Sequence, residues 1–233
     1  MRPICFISAR GGSKGILKKN IRIIANKPLI AHTIESAINS DIFSHVVVST
    51  EDSEIATISK KYGAEVPFLR PKRLAKDNSA VGDVWIHGIK KLYSLGYEFE
   101  IFVNRDCTVP FIRTQDIRGT ISLLKKKKCD AVFGVYRQHL NPYFNMMELN
   151  SRGYLRLCKG DIKKRPKSRQ KAPIVYQLNG LFTYYVKKFL KYGDPIVPKA
   201  LPYEIPVETG LMIDTELEFQ FAEMIFDQQK NVI

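Results

Sequence analysis

The run Ala9-Arg10-Gly11-Gly12-Ser13-Lys14-Gly15-Ile16-Leu17-Lys18-Lys19-Asn20 combines three glycines with the cations Arg10, Lys14 and Lys19 and the hydroxyl of Ser13. Glycine lets a backbone approach an anion closely and point amide N–H groups inward, while the side chains add charge and a further donor. That is the chemistry of a polyphosphate cradle; the alternative reading of the same composition is a flexible basic turn. The spacing fits neither standard nucleotide motif, because Gly-Gly-x-x-Gly is not GxGxxG and no GxxxxGK[ST] can be written across it. A dinucleotide enzyme or a P-loop ATPase is therefore disfavoured. Other candidates are scattered: Arg70 in a loop rich in Pro and Arg, Asp106 just after the apolar run Ile101-Phe102-Val103, Arg169 in a basic segment, Asn179 before a glycine, and Asp214 ahead of the last helical pattern.

Such residues can act together only if a scaffold gathers them. The first 135 residues alternate short apolar runs with apolar residues at helical spacing, beginning with Ile4 to Ser8, the Gly-rich loop, and Leu29, Ile30, Thr33, Ile34, Ala37 and Ile38. Val46-Val47-Val48 is the second strand. Asp52 or Ser53 opens the next helix and Gly63 stops it; a further helix starts near Ser79 and ends at Gly96, and Thr114 caps another. Strands alternating with helices require a mostly parallel sheet covered on both faces, so an α/β, doubly wound, Rossmann-like fold is expected. In such sheets a ligand sits beyond the carboxyl ends of the strands, which points to the loops 9–20, 49–52 and 104–113. From 137 to 176 the alternation breaks, and 152–171 holds nine basic residues against the single acid Asp161. This stretch is too short to fold alone and reads as an excursion inserted before a strand at 178–186, within one domain covering 1–233. A final helix, capped by Asp214, presents Leu217, Phe221, Ala222 and Ile225 on its apolar face.

Composition narrows the partners. Thirty-seven Lys and Arg against 23 Asp and Glu leave a net charge of +14, so an anionic partner is expected: nucleic acid, an anionic membrane face or a polyphosphate substrate. The four cysteines are widely spaced without a CxxC pair, which argues against a disulfide framework or structural zinc. No apolar stretch reaches the roughly 18 residues a membrane span needs, nor does the N-terminus read as a signal peptide. A reducing cytoplasm is the expected compartment.

Arg10-x-x-Ser13-Lys14-Gly15 with Lys19-Asn20, then Lys27-Pro28-Leu29-Ile30 and the strand end Val47-Val48-Ser49-Thr50, resembles the CMP-sugar synthetases, the acylneuraminate cytidylyltransferases in particular. The resemblance continues through Leu69-Arg70-Pro71, Leu74-Ala75-x-Asp77, Thr108-x-Pro110-x-x-Arg113, Arg169-Gln170, Asn179-Gly180 and Ile213-Asp214-Thr215-Glu216, in order along nearly the whole chain. It implies activation of a 2-keto-3-deoxy sugar acid by CTP, with Mg²⁺, and a homodimer in which the 137–176 excursion is the dimerisation hairpin or lobe. By the same resemblance Arg10, Lys14 and Lys19 carry the catalytic charge. Gly11, Gly12 and Ser13 join them on the nucleotide, with Asn20 and Arg70 at the cytidine, while Asp106, Arg169 and Asn179 face the sugar acid.

Two departures from the family pattern bear on that expectation. Relatives carry Asp-x-Asp near the C-terminus, whereas this chain has Met212 at the first position, leaving Asp214 as metal ligand with Asp106 as the second carboxylate. Mg²⁺ tolerates so few protein ligands because phosphates and waters complete its octahedron. The competing roles are helix capping for Asp214 and loop organisation for Asp106. Around His139-Leu140-Asn141-Pro142-Tyr143-Phe144, where sialic-acid enzymes often present a Lys, this chain has aromatic residues, so the particular acid stays open. Other readings are a nucleotidyltransferase for 3-deoxy-manno-octulosonic acid or a sugar phosphate, and a basic nucleic-acid-binding protein. No helix-turn-helix, zinc-finger, RRM or KH signature accompanies the last, which makes a nucleic-acid partner the weaker expectation.

Overall fold

A computed structural model of the chain describes residues 1–12 and 15–230. Within them the elements run β1 (Ile4–Ser8), β2 (Ile23–Ile24), β3 (Lys27–Pro28), α1 (Leu29–Asn39), β4 (His45–Ser49), α2 (Ser53–Lys61), α3 (Val81–Ser94), β5 (Ile101–Arg105), α4 (Thr114–Lys127), β6 (Ala131–Arg137), β7 (Met147–Leu149), β8 (Leu155–Leu157), β9 (Tyr176–Tyr185), α5 (Val186–Tyr192), β10 (Ala200–Glu204) and α6 (Glu216–Lys230). Six strands form the central sheet in the order β10-β6-β9-β5-β1-β4. β1 is parallel to β4 and β5, and β10 to β6, while β9 is antiparallel to both its neighbours. The expected mostly parallel sheet is therefore present, with β9 as the exception. Between β6 and β9 the chain makes the 137–176 excursion rather than a helical crossover, and a return without a crossover enters the sheet antiparallel.

Strand periodicity sends alternate residues of β1 to opposite faces. Cys5 and Ile7 pack with Val103 under Ile30 and Ile34 of α1, Ile55 of α2 and Ile117 and Ile121 of α4. Ile4 and Phe6 pack with Phe102 and Tyr184 under Val84, Trp85, Ile89 and Leu92 of α3 and Phe189 of α5. Because both faces are buried, these strands read as continuous apolar runs. The excursion contributes the hairpin β7–β8, paired from Met147↔Leu157 to Leu149↔Leu155, which leaves Leu149, Tyr154 and Leu155 exposed.

The helix starts refine the sequence expectations. Asp52 caps α2 as expected, its Oδ1 accepting from the amides of Glu54 (2.8 Å) and Ile55 (3.0 Å). α3 begins at Val81 rather than near Ser79, because Ser79 is held in the preceding turn by its amide to the Lys76 carbonyl and its hydroxyl to the Arg73 carbonyl. Thr114 is not the cap of α4: Arg113 takes that place, and buried Asp116 folds back to accept from the Arg113 amide and guanidinium. Nor does Asp214 cap α6. Thr215 Oγ1 accepts from the Glu218 amide, and Glu218 Oε2 accepts from the amides of Thr215 and Asp214, a reciprocal box that leaves the Asp214 carboxylate free for other work. α6 buries Phe219 and Ala222, while Leu217 and Phe221 of the expected apolar face are exposed. Arg22 sets this rotation by a two-pronged pair with Glu216 (2.6 Å each) and by lying 3.9 Å over the Phe219 ring.

One close approach inside this fold gives a test. A Cβ at Gly88 of α3 would lie 2.3 Å from Cζ of Phe6, whose ring is buried in the core. Gly→Ala in a helix interior ordinarily adds about 1 kcal/mol, but overpacking a rigid core costs about 1–3 kcal/mol. Gly88→Ala is therefore expected to lower the urea midpoint and the Tm; a rise in either would mean that α3 has room to move off β1.

Candidate active site

The loops at the carboxyl ends of β1 and β5 and the 70–81 segment enclose a cavity of ≈ 290 Å³. Ser8, Arg10, Lys19, Asn20, Arg70, Lys76, Asp106, Cys107 and Thr108 are among its lining. Five expected site residues, Arg10, Lys19, Asn20, Arg70 and Asp106, thus converge where the topology predicts. Ser13 and Lys14 lie outside the described residues.

Three of these cations, Arg10, Lys19 and Arg70, each have a carboxylate partner from a different segment. Arg10 Nη1 is 2.8 Å from Asp77 Oδ1. Lys19 Nζ donates to Asp214 Oδ1 (2.7 Å) and to the Ile213 carbonyl (2.8 Å). Arg70 Nη2 donates to Glu51 Oε2 (2.6 Å) and to the Ala9 carbonyl (3.1 Å). Asn20 braces the loop, with Nδ2 donating to the Arg10 carbonyl (2.9 Å) and Oδ1 accepting from the Cys107 thiol (3.1 Å). Burial pushes that thiol up to about 12, so it stays protonated and is no nucleophile.

The two carboxylates expected at a metal are brought together by backbone contacts. The Ile213 amide donates to the Thr108 carbonyl (2.9 Å), which sets Asp214 beside the 106–108 loop, and the Asp106 amide donates to the Gly180 carbonyl (3.0 Å). Gly180 has φ +75°, and a Cβ there would come within 2.6 Å of the Asp106 side chain, so a glycine is required on both counts. Burial, and then the nearby Asp214 carboxylate, push Asp106 up to about 6, against the opposing Asn104 amide (2.9 Å) and the Lys19 charge. Among the described residues no three His, Cys, Asp or Glu cluster as a complete metal site. Two hard oxygen donors beside a cavity lined by Arg10, Lys19 and Arg70 nonetheless fit Mg²⁺, whose remaining positions phosphate and water would fill.

Other expected residues stand apart. The Gly11 amide is occupied by Glu51 Oε1 (2.8 Å), and a Cβ at Gly11 would lie 2.4 Å from Asp52 Oδ2, so this glycine serves close packing of the loop. At Gly12 no atom lies within 4 Å of such a Cβ, leaving that part of the loop open to a ligand. Arg169 is exposed in a short 3₁₀ turn of the excursion, and Asn179 is fully buried with its Nδ2 unpartnered; neither lines the cavity.

A family model described as cytidylyltransferase matches residues 4–192. The chain belongs to the cytidylyltransferase family. It is 33% identical to the post-translational flagellin modification protein B of Campylobacter coli, over 98% of this chain and 96% of that protein. It is 31% identical to the CMP-N,N'-diacetyllegionaminic acid synthase of Campylobacter jejuni, over 95% of this chain and 94% of that one. A solved structure of CMP:2-keto-3-deoxy-manno-octonic acid synthetase complexed with CTP aligns with a TM-score of 0.73 at 17% identity, covering 98% of this chain and all of that one, a likeness of fold. The expected acylneuraminate-type family and α/β fold are thus both met.

In this cytidylyltransferase, sequence reasoning missed Glu51, Asp77, Lys76 and Cys107. Glu51 stood in the flagged loop 49–52, and Asp77 within the Leu74-Ala75-x-Asp77 run; position could have found both, although their partners come from other loops.

Asp106 yields a pH-dependent prediction. Its folded-state pKa of about 6 lies above the ordinary 3.8, so the folded protein holds the proton more tightly, and stability contributed by this group falls as pH rises from about 4 to about 6. In metal-free protein, Asp106→Asn should raise stability at pH 7.5 by about 1–3 kcal/mol, with the gain fading by pH 4, while turnover is lost. A pH-independent change in the denaturation midpoint would contradict the assignment of a strained carboxylate.

Proposed function

We propose that this enzyme activates a nine-carbon nonulosonic acid of the sialic-acid type with CTP, releasing pyrophosphate. The observation that carries the reading is the cavity lined by Arg10, Lys19 and Arg70 with its Asp106–Asp214 carboxylate pair at the carboxyl edge of the sheet, in a chain similar over 95% of its length to a protein named for CMP-N,N'-diacetyllegionaminic acid synthesis. Arg10, Lys14 and Lys19 hold the triphosphate with Gly12 and Ser13; Arg70, with Asn20 behind it, meets the cytidine. The anomeric hydroxyl of the sugar acid attacks the α-phosphorus, forming a new P–O bond as the bond to the α,β-bridging oxygen breaks; pyrophosphate leaves with that electron pair and the hydroxyl proton passes to solvent. The protein's part is position and charge: no covalent nucleophile is needed, and Lys19 stands ready to neutralise the departing pyrophosphate. Asp106 and Asp214 would hold Mg²⁺, which would supply charge neutralisation to the phosphates.

Chain 1–233 acts as one nucleotidyltransferase domain and as a homodimer through 137–176. An isolated two-stranded hairpin is marginal in water, and β7–β8 leaves Leu149 and Leu155 uncovered, 67% and 64% exposed. A partner copy would cover them and could bring the excursion's cations, Arg169 included, to the sugar acid, with Asn179 supporting the wall behind Asp106. The free state of all four cysteines supports work in a reducing cytoplasm.

Pyrophosphate release should require CTP, Mg²⁺ and one acid from a panel of N-acetylneuraminic, legionaminic, pseudaminic and 3-deoxy-manno-octulosonic acids, with the other three nucleoside triphosphates inactive. Turnover with a sugar phosphate, or with none of the acids while CTP binds, would overturn the substrate class. For assembly, light scattering at micromolar concentration should give a dimer that Leu149→Asp with Leu155→Asp converts to monomer; a monomeric unsubstituted chain removes the interface.

A further inference from the structure

Glu51, which the reaction does not use, is a nearly buried carboxylate behind the cavity wall. It follows β4 directly, and its side chain is 13% exposed. One oxygen, Oε1, takes the Gly11 amide of the phosphate loop at 2.8 Å; the other, Oε2, takes Arg70 Nη2 at 2.6 Å. Arg70 is 3% exposed at its side chain, and its Nη2 is also bound to the Ala9 carbonyl, so this nitrogen is spent on protein partners. Its backbone is held as well, the Arg70 amide donating to the Thr50 carbonyl at 2.8 Å. A single carboxylate thus ties together the end of β4, the loop after β1 and the arginine on the cavity wall.

We propose that Glu51 is a positioning residue that couples the cytidine end of the site to the triphosphate loop. A guanidinium left unpaired at this depth would lose solvation without compensation and would swing toward whatever acceptor it could reach. With Glu51 in place it presents its remaining edge to the cavity in one orientation before nucleotide arrives, so little ordering is left to binding. The same carboxylate draws the Gly11 amide away from the cavity, so phosphate recognition begins at Gly12. A neutral side chain cannot do both, because Arg70 needs an acceptor charged enough to stay with it, and an aspartate is one methylene too short to span both partners.

The inference rests on the reading of the cavity as a CTP site, and the test separates the two. Glu51→Gln keeps the size and an acceptor for the Gly11 amide but turns an NH₂ toward Arg70, which isolates one arm; Glu51→Ala removes both. Binding of CTP with Mg²⁺ is measured by calorimetry in the absence of any sugar acid, alongside steady-state kinetics. Glu51→Gln should weaken Kd and raise KM for CTP about tenfold while kcat and KM for the sugar acid stay within about threefold, the signature of lost ground-state binding. Glu51→Ala should be weaker still. In an Arg70→Met background the same Glu51→Gln change should cost nothing further, and should raise the Tm by removing an unpaired carboxylate, a reversal that independent contributions cannot produce. If Glu51→Ala fails to fold, the Glu51→Gln and Arg70→Met cycle decides alone. Unchanged CTP binding in Glu51→Gln, or an equal loss in both backgrounds, overturns the coupling while leaving the CTP site standing; failure of the unsubstituted enzyme to bind CTP overturns both.

Discussion

Gathering like charges at one edge of a sheet is the constraint on which this structure depends. Arg10, Lys19 and Arg70 line one cavity, where low local dielectric magnifies their mutual repulsion. Each is offset by a carboxylate delivered from elsewhere in the chain, Asp77, Asp214 and Glu51 respectively. Those pairs are also what joins the loop after β1 to the segments at 51, 70–77 and 213–214. The electrostatic requirement of the site and the tertiary assembly of its walls are met by the same contacts.

The pairs differ in kind, and burial says how. Arg10 and Asp77 are 37% and 52% exposed at their side chains, a setting in which an ion pair contributes about 0–1 kcal/mol. An incoming anion can take the place of Asp77 at small cost. Arg70 and Glu51 are almost out of solvent, and separating them would strand a buried charge, so that pair is scaffold. Lys19 lies between, nearly buried while its partner Asp214 is half exposed. The cavity therefore has a fixed end at Arg70 and an exchangeable end at Arg10.

Local patterns made much of this legible. β1, Asp52 as a cap and the stops at Gly63 and Gly96 follow from residue-level propensities and stand as expected. So does the convergence of Arg10, Lys19, Asn20, Arg70 and Asp106, because a doubly wound sheet dictates where its loops meet. What local pattern could not carry was competition among equally able groups. Asp214 and Thr215 are both good caps, and the choice fell to Thr215 because Lys19, 195 residues away in sequence, takes the Asp214 carboxylate. The rotation of α6 is set by Arg22, remote in sequence, rather than by its own apolar pattern. Asn179 looked like a ligand contact, yet it is fully buried in β9, while Asp106, packed against Gly180, is the residue that lines the cavity.

The distribution of charge then explains why so basic a chain needs its excursion. Pairing cancels most of the local charge of the cavity, so the cavity by itself exerts little long-range pull on a triphosphate. The 152–171 segment, with nine cations against Asp161, lies on exposed backbone and carries charge that few internal partners neutralise. Beyond about a Debye length, ~8 Å at physiological salt, such exposed charge is what an approaching anion feels. Charge is in this way divided between two parts of one chain: a diffuse basic surface that attracts anions at a distance, and a cavity whose cations are pre-paired, where an incoming anion can compete for the exposed Arg10–Asp77 pair while the buried Arg70–Glu51 pair stays in place.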